Sequence, residues 1–332
     1  MLTQMVANRV YDFSHTVGGR EMIGDVAVAV GAGDDVYCAI RNNNLGTVVR
    51  LTIGTVPGDE EIAGQLGNRG EGDGEFIWPT GIALDRDYKV YVTDEWLNRV
   101  TVFDRDGTYL YHWGDTGNAA GQLNGPSGID VDSHGDLYIV DSLNHRVQKF
   151  TAGGEYLAGW GGLGDGPGEF NTPWGLTVDD QDQVYVADHK NHRVQKFTAS
   201  GEYMAEFGSY GSGRGELNRP ADVAVDPDGD VYICDWANDR VQVFAADGAF
   251  ITSLIGDAQE LSKWFKETVD ANDDVAKARR RVDTLEPEWR LVLPCGLAFD
   301  AAKSRLIIAD TQRRRVQIYN KVKDYMDAQV NL

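Results

Sequence analysis

The chain has 332 residues, 42% of them hydrophobic, which is enough for a substantial core in one large domain or two ordinary ones. Its 31 Lys and Arg residues against 52 Asp and Glu residues give a formal net charge of -21, so its long-range field repels nucleic-acid backbones and anionic lipid surfaces. We therefore expect neither nucleic acid nor membranes as partners, whereas cationic and neutral ligands remain open. The acidity also fits a chain that is simply kept in solution or suits a saline environment.

The N-terminal stretch MLTQMVANRVYDFSHTVGG lacks the basic start and apolar run of a secretory signal, and no later stretch reaches the apolar length of a membrane span. The three cysteines, Cys38, Cys234 and Cys295, show no CxxC spacing and leave an odd thiol. This usage favours a reducing compartment and argues against a structural zinc. We therefore expect a cytoplasmic protein.

A β-rich unit recurs along the chain. A degenerate copy, IGDVAVAVGAGDDVYCAIRNNNLGTVVRL, begins at Ile23, and regular copies such as PTGIALDRDYKVYVTDEWLNRVTVF follow at intervals of 47 residues. The regular copies begin at Pro79, Pro126, Pro173 and Pro220, and a last copy begins at Pro294. The last interval is longer than the others by about 27 residues, which indicates an insertion.

Each copy contains β-rich runs such as GIALD, VYVTD, RVTVF and TYLYHWG, separated by Asp/Gly turns, which is the pattern of a four-stranded antiparallel blade. Because a lone blade cannot bury both faces, six copies predict an all-β, six-bladed β-propeller in one domain over residues 1–332. The last copy lacks a clear fourth run, whereas RVYDFSHTVG precedes the first copy. We therefore predict that the N-terminal strand completes the last blade and closes the ring.

The insertion, at about residues 257–290, carries Leu261, Trp264, Phe265 and Val269 at helical spacing. The spacing predicts a helix or helical hairpin. Its position predicts a lid over the channel mouth or, alternatively, a contact between two copies of the chain. Arg290 would then bring positive charge to a bound substrate.

The copies resemble NHL repeats, whose pattern is close to P-x-G-I-A-V-D-x-x-G-x-V-Y-V-A-D-x-x-N-H-R-V-Q-x-F. The resemblance covers nearly the whole chain outside the insertion and recurs five times with the same offsets. It implies a six-bladed propeller. It does not imply one function, since propellers of this type include enzymes, scaffolds and RNA-binding modules.

Residues found in every copy answer a structural need of every blade, and residues found in only one copy are the functional candidates. The repeated arginines are predicted to pair with the aspartates that precede them: Arg99, Arg146, Arg193, Arg240 and Arg315. The start of the first strand and the end of the second lie at the same face of the ring, here named the top face. Two slots are expected to rim the channel there: the slot after proline, with Thr80, Ser127, Trp174, Ala221 and Cys295, and the slot after the strand-ending aspartate, with Glu95, Ser142, His189, Trp236 and Thr311.

Among these candidates, His189 is the preferred general acid or base. Arg41 stands where the other copies have an aspartate, and it either clamps a substrate carboxylate or compensates for the missing acid in a salt bridge. Glu95, Asp25 and Asp222 are candidate catalytic carboxylates, although aspartate at the last two positions is also a common variant of the repeat.

Substrate binding is predicted at one cysteine, one arginine and four tryptophans, which form an aromatic wall or fill the space between blades. These candidates are Cys295, Arg290, Trp78, Trp96, Trp174 and Trp236.

The stretch VYCAIRNNN around Arg41 resembles the degenerate repeat that carries an arginine in peptidyl-hydroxyglycine alpha-amidating lyases. That family holds a channel zinc through histidines, but no histidine precedes the repeat prolines in this chain, so a three-histidine zinc site is not expected. Calcium held by Asp25, Glu95 and Asp222, as in lactonase-like propellers, is a hypothesis.

Two function classes follow. The first is a lyase or hydrolase that acts on a small polar substrate in the top-face channel beneath the lid. The second is a non-enzymatic propeller whose top face binds a peptide or protein. The sequence does not predict the oligomeric state.

Overall fold

The alternating runs of each repeat form antiparallel strands, because their apolar residues point alternately to the two faces of a sheet. The computed structural model describes residues 3–6, 9–19, 22, 24–41 and 46–322, with residues 3–6 described by their backbone alone. The predicted start of the first copy at Ile23 lies outside these residues, as does part of the stretch that follows Arg41.

The six sheets are named blades one to six in the order of their innermost strands. The strands before blade one are β1 (Thr3–Val6) and β2 (Arg9–Gly18). Blade one contains β3 (Asp25–Val30), β4 (Asp35–Arg41), β5 (Gly46–Thr52) and β6 (Glu61–Leu66), and a short parallel pair follows, β7 (Asn68–Arg69) with β8 (Glu75–Phe76). Blade two contains β9 (Pro79–Leu84), β10 (Val90–Asp94), β11 (Arg99–Phe103) and β12 (Tyr109–Trp113), and a second such pair follows, β13 (Asp115–Thr116) with β14 (Gln122–Leu123).

The next three blades repeat this plan. Blade three contains β15 (Pro126–Val131), β16 (Leu137–Asp141), β17 (Arg146–Phe150) and β18 (Tyr156–Gly161). Blade four contains β19 (Leu176–Val178), β20 (Val184–Asp188), β21 (Arg193–Phe197) and β22 (Tyr203–Phe207). Blade five contains β23 (Pro220–Val225), β24 (Val231–Asp235), β25 (Arg240–Phe244) and β26 (Phe250–Leu254).

Blade six joins the two ends of the described chain in one sheet. Its strands β27 (Gly296–Asp300), β28 (Arg305–Asp310) and β29 (Arg315–Val322) are followed by β2, which pairs antiparallel with β29, and β1 adds a fifth strand outside β2. Gly18 pairs with Arg315 at one end of this ladder and Val10 pairs with Val322 at the other. The predicted closure of the ring by the N-terminal strand is therefore confirmed.

The ring is closed at its centre as well. Each innermost strand contacts the innermost strands of both neighbouring blades, and β27 of blade six contacts β3 of blade one. Six apolar clusters fill the spaces between blades, one for each of the six interfaces. Because every blade buries both faces in this way, the predicted six-bladed propeller of four-stranded antiparallel sheets is confirmed.

The repeated polar residues tie neighbouring elements together. The strand-ending aspartates of blades three to six accept hydrogen bonds from the arginines five positions later, at N···O distances of 2.7 to 3.1 Å. In blade two this prediction is wrong, because Arg99 instead donates to the backbone oxygens of Glu71, Gly72 and Glu75. These contacts make the repeated residues part of the framework rather than of a site.

The insertion forms three helices: α1 (Lys263–Asp270), α2 (Asp273–Arg279) and the short α3 (Glu286–Trp289). Helix α1 lies against β2 of blade six, where Trp264 packs against the apolar cluster between blades six and one. Ser262, just before α1, donates a hydrogen bond of 2.6 Å to the backbone oxygen of Gly18, and the backbone nitrogen of Lys263 donates to buried Glu60. The helical insertion is thus confirmed.

The predicted lid is wrong. Residues 257–290 are all described, and none of them lines the central channel. The physical reason is that the apolar side of α1 is already used at the outer edge of the ring, away from the channel. Among the described residues, no helix combines the length and apolar character needed to cross a bilayer.

Candidate functional site

The innermost strands enclose a cavity of about 890 Å³ on the axis of the ring. Residues from all six blades line it, from Gln312 near the top face to Ala301 beyond the opposite end of β27. Each of these strands pairs with one neighbour within its blade and turns its other edge toward the cavity, where its side chains contribute to the lining.

All ten residues of the two slots that the repeats single out line this cavity. The comparison of the copies predicted this position for them. The reason is geometric, because each slot follows either the proline that starts an innermost strand or the aspartate that ends the neighbouring strand.

His189 follows Asp188, where the second strand of blade four ends in a single helical turn. The residue is 4% exposed, and its ring stacks on Trp174 with 3.7 Å between ring centroids and 21° between planes. Its Nδ1 atom lies 3.1 Å from the backbone oxygen of Pro220. Because a carbonyl oxygen can only accept, Nδ1 carries the proton of the neutral ring, and the lone pair is on Nε2.

The Nε2 atom of His189 has no hydrogen-bond partner among the described residues, and it is not among their enclosed polar atoms. Burial is the largest cause that lowers the pKa of His189 to about 4; the bond to Pro220 opposes the shift, and Arg219, His192 and Lys190 add smaller lowering contributions. The imidazole is therefore neutral at pH 7, with its lone pair available to a molecule in the cavity.

Two tryptophans complete an aromatic wall beside His189. Trp174 and Trp236 meet edge to face at 6.0 Å, and Trp236 lies 5.9 Å from the ring of His189. Both line the cavity, as predicted for substrate-binding residues at the mouth. Such a wall binds apolar or aromatic parts of a ligand.

Arg41 and Glu95 belong to blades one and two, and blade one lies opposite blade four in a ring of six. The two side chains form an ion pair with 2.7 Å between nitrogen and oxygen, and Arg41 lies 4.7 Å above the ring of Trp78. Both are about one-third exposed, so this pair contributes little to stability. The geometry matches the salt-bridge interpretation of Arg41, although its partner comes from the next blade.

Trp78 and Trp96 pack edge to face at 5.2 Å beside Arg41, but neither lines the cavity. Trp96 is 57% exposed. The structure therefore divides the four predicted tryptophans into an inner pair on the cavity and an outer pair that supports Arg41.

The three predicted carboxylates do not come together. Asp222 lines the cavity and accepts a hydrogen bond of 2.8 Å from the backbone nitrogen of Leu297, whereas Asp25 is fully enclosed and does not line it. Burial raises the pKa of Asp222 to about 7 and raises that of Asp25 well above its usual range. Glu95 is held by Arg41.

No group of three or more His, Cys, Asp and Glu side chains among the described residues is arranged to hold a metal ion. The donor set proposed for calcium is therefore not assembled by this fold, since Asp222 and Glu95 have separate partners and Asp25 does not line the cavity. The calcium hypothesis does not fit these residues.

The remaining predicted residues have different surroundings. Cys295 lines the cavity, its thiol donates to the backbone oxygen of Leu293, and burial raises its pKa to about 11, so it is a protonated thiol at neutral pH. Arg290 lies outside the cavity, where it binds Glu286, Asp257 and the backbone oxygen of Gly256.

Two cavity-lining cations were missed by the sequence analysis. Lys190 is the residue after His189, and Arg219 is the residue before Pro220. Comparison of the copies could have found them, because no other copy has Lys or Arg at the position of Lys190 or at the position of Arg219. The equivalents of Lys190 are Trp96, Leu143, Ala237 and Gln312, and the equivalents of Arg219 are Trp78, Gly125, Thr172 and Leu293.

Comparison with known proteins supports the assignment of the copies to NHL repeats. The family model described as "NHL repeat" matches residues 123–150, 170–197 and 217–244, which cover the three inner strands of blades three, four and five. Protein lin-41 of Caenorhabditis elegans is 44% identical over 45 residues. That match spans 14% of this chain and only 4% of the length of lin-41.

Solved structures share the whole architecture at low sequence identity. A catalytically inactive variant of virginiamycin B lyase from Staphylococcus aureus with quinupristin superposes with a TM-score of 0.55 at 13% identity, covering 94% of this chain and 100% of that one. A streptogramin B lyase structure gives a TM-score of 0.58 at 12% identity, covering 94% and 98%. At this identity the likeness extends to the fold alone. The chain is therefore a six-bladed β-propeller that carries NHL repeats.

Proposed function

We propose that the protein is a lyase that acts on a small polar molecule bound in the central cavity, with His189 as the proton acceptor. The observation that carries this proposal is the unpartnered Nε2 atom of a neutral, buried histidine on the wall of a cavity of about 890 Å³. The solved structures of similar fold include enzymes called lyases, which supports the same reaction class.

A lyase breaks a bond by elimination, for which one group removes a proton from carbon and another protonates the leaving group. His189 supplies the lone pair for the first step. Asp222, on the neighbouring blade, has a pKa of about 7, so a large fraction of it carries a proton that it can donate to the leaving group. Trp174 and Trp236 orient the substrate against these groups.

The test is incubation of the purified protein with a panel of small lactones and esters, each with and without a free carboxylate, and with quinupristin, followed by liquid chromatography and mass spectrometry. Elimination within a ring leaves the total mass unchanged and creates a double bond, whereas hydrolysis adds the mass of one water. We expect a lactone to give one product of unchanged mass and an ester to give an acid and an alkene whose masses sum to that of the ester, with a rate about 10²–10⁴-fold lower for His189→Asn.

His134→Asn is the matched control, because His134 is largely exposed and does not line the cavity. It should keep the rate of the unaltered protein. A His189→Asn variant that turns over at the full rate would remove His189 from the mechanism.

The second candidate is a propeller that binds a ligand in the cavity without altering it. The NHL repeats and the local similarity to lin-41 support this candidate, since the repeat belongs to a fold that is also used for binding alone. Ligands that bind in the cavity and are recovered unchanged across the whole panel would favour it over the lyase.

A further inference from the structure

Lys190 and Arg219 place two uncompensated positive charges at the top-face mouth of the cavity. Both side chains are exposed and line the cavity, and neither forms an ion pair with any described residue. Arg41, the third mouth cation, is neutralised by Glu95. The chain has a net charge of -21, so its overall electrostatic potential is negative. Lys190 and Arg219 make the potential beside His189 locally more positive.

The backbone fixes where the Arg219 side chain begins. The backbone nitrogen of Arg219 donates a hydrogen bond of 3.0 Å to Nδ1 of His192, and the φ angle of Arg219 is 57°. The same slot in three other blades, at Gly125, Thr172 and Leu293, has the same backbone conformation and also lines the cavity. The slot is thus a framework position that faces the mouth, and only blade five uses it for a cation.

The opposite end of the cavity has the opposite sign. Asp179 and Asp180 line it near the far end of β19, and Asp180 is exposed to solvent. An anionic group is therefore repelled from the lower end and attracted to the mouth, where it would lie next to His189.

We propose that the mouth binds a carboxylate of a small-molecule ligand between Lys190 and Arg219, with the rest of the ligand packed along Trp174 and Trp236. A charge-assisted hydrogen bond from each cation holds the carboxylate. This inference rests on the proposed function in one respect, because it takes the bound ligand to be the substrate. The substrate is then a small carboxylate, preferably an aromatic one.

The binding test uses three probes of the same shape and different charge: benzoate, benzyl alcohol and benzylammonium, measured by isothermal titration calorimetry. Benzoate should bind at least tenfold more tightly than the other two. Arg219→Gln and Lys190→Gln should each weaken benzoate by about tenfold and leave benzyl alcohol unchanged, because each removes one charge-assisted contact.

Arg214→Gln is the control, because Arg214 is an exposed cation in the same connection between blades four and five and does not line the cavity. Its benzoate affinity should equal that of the unaltered protein. Phenyl phosphate serves as a further arm: weaker binding than benzoate supports the assignment to a carboxylate, and tighter binding overturns it in favour of a phosphate.

A second readout reports whether the anion lies beside the histidine. Lys190, Arg219 and His192 are the charged groups that lower the pKa of His189, and Pro220, Trp174 and Trp236 are its other neighbours. A bound carboxylate opposes the three positive charges, so saturating benzoate should raise the pKa of His189, as followed by the proton on its ring carbon in NMR spectra.

Three results would overturn the inference: benzylammonium binding as tightly as benzoate, no benzoate binding at millimolar concentration, or equal losses in Arg214→Gln and Arg219→Gln. Failure of the lyase proposal has a different signature. In that case benzoate still binds with the predicted charge dependence, while no member of the substrate panel is converted.

Discussion

Asp222 and Asp25 occupy the same slot of two blades, yet they differ in what surrounds them. Asp222 accepts hydrogen bonds from the backbone nitrogens of Val223 and Leu297, and its other oxygen lies so close to Gly175 that a side chain there would clash. Neither oxygen of Asp25 has a partner, and Asp310 is close enough to disfavour its charge. Burial and Asp310 therefore raise the pKa of Asp25 well above its usual range, whereas Asp222 titrates near pH 7.

The raised pKa of Asp222 predicts a particular dependence of stability on pH. The folded state holds the proton up to about pH 7, whereas an unfolded carboxyl releases it near pH 4, so Asp222 costs stability increasingly as the pH rises between these values. Asp222→Asn removes this cost. The midpoint temperature of thermal unfolding of Asp222→Asn should equal that of the unaltered protein near pH 4 and exceed it at pH 8. The corresponding gain in the free energy of unfolding at pH 8 is about 1–3 kcal/mol.

Asp165→Asn is a suitable control because Asp165 is an exposed residue of the connection between blades three and four, for which the structure gives no side-chain hydrogen bond. It should show no such pH dependence. A constant difference between Asp222→Asn and the unaltered protein from pH 4 to pH 8 would contradict the protonation assigned to Asp222.

At the scale of elements, the insertion acts as a brace on the outside of the ring. The insertion follows the last strand of blade five at the top face, and its helix α1 packs against β2. At the start of α1, Lys263 binds Glu60, which lies in the loop before β6 of blade one. Gly19 is required there, because its φ angle is 155° and a Cβ would meet the side chain of Trp264. The brace connects the closing strand to the first blade and leaves the mouth open.

Trp264→Ala tests the brace. Loss of the indole from the cluster between blades six and one should lower the free energy of unfolding by about 1–3 kcal/mol, measured by chemical denaturation. Benzoate affinity should not change, because no residue of 257–290 lines the cavity. Val275→Ala in α2, where the side chain is 42% exposed, should leave both quantities unchanged. Altered benzoate affinity in Trp264→Ala would restore a lid role.

The sequence predicts blades better than it predicts the surroundings of single side chains. The repeat defines the strands, and the missing fourth run of the last copy identifies β2 as its partner, because local patterns of period two determine both. The apolar spacing around Trp264 predicts a helix but not the surface that covers it. The pairing of Arg41 with Glu95 depends on the rotation between two blades, and no local pattern encodes that rotation.

At the scale of the whole molecule, one carboxylate fastens β2 and β29, the two strands whose pairing closes the ring, to blade five. Asp230 is fully buried and accepts two hydrogen bonds from Arg9 of β2, at 2.7 and 2.8 Å, and one from Nζ of Lys321 of β29. Lys321 also binds Asp226 and Asp228 of the same turn. These cations lower the pKa of Asp230, so the charged form stabilises the ring.

Asp230→Asn should lower the free energy of unfolding at pH 7 by about 3–5 kcal/mol, because it leaves the buried Lys321 and the half-buried Arg9 with less compensation. Since the pKa of Asp230 is lowered in the folded state, this stabilisation is present at neutral pH and is lost as the pH falls through the folded pKa. The difference between the variant and the unaltered protein should therefore shrink in acid.

Thermal unfolding between pH 3 and pH 7 measures this difference, and hydrogen exchange of β2 locates it. Asp115→Asn, at an exposed residue of the connection between blades two and three, should have no effect. Unchanged exchange in β2 of the Asp230→Asn variant would show that the closing strand is held without this contact.

The pairing of β2 with β29 has a kinetic consequence. On a chain made from its N-terminus, β2 emerges before blades one to five and its partner β29 emerges after them, so those blades are available to fold before this sheet can be completed. Until then, β2 presents an unsatisfied edge that invites pairing with another chain. Folding of the ring should therefore end in a slow, long-range step, the pairing of β2 with β29. The yield of folded protein should fall as the protein concentration rises, because the edge of β2 that later pairs with β29 is open until that step.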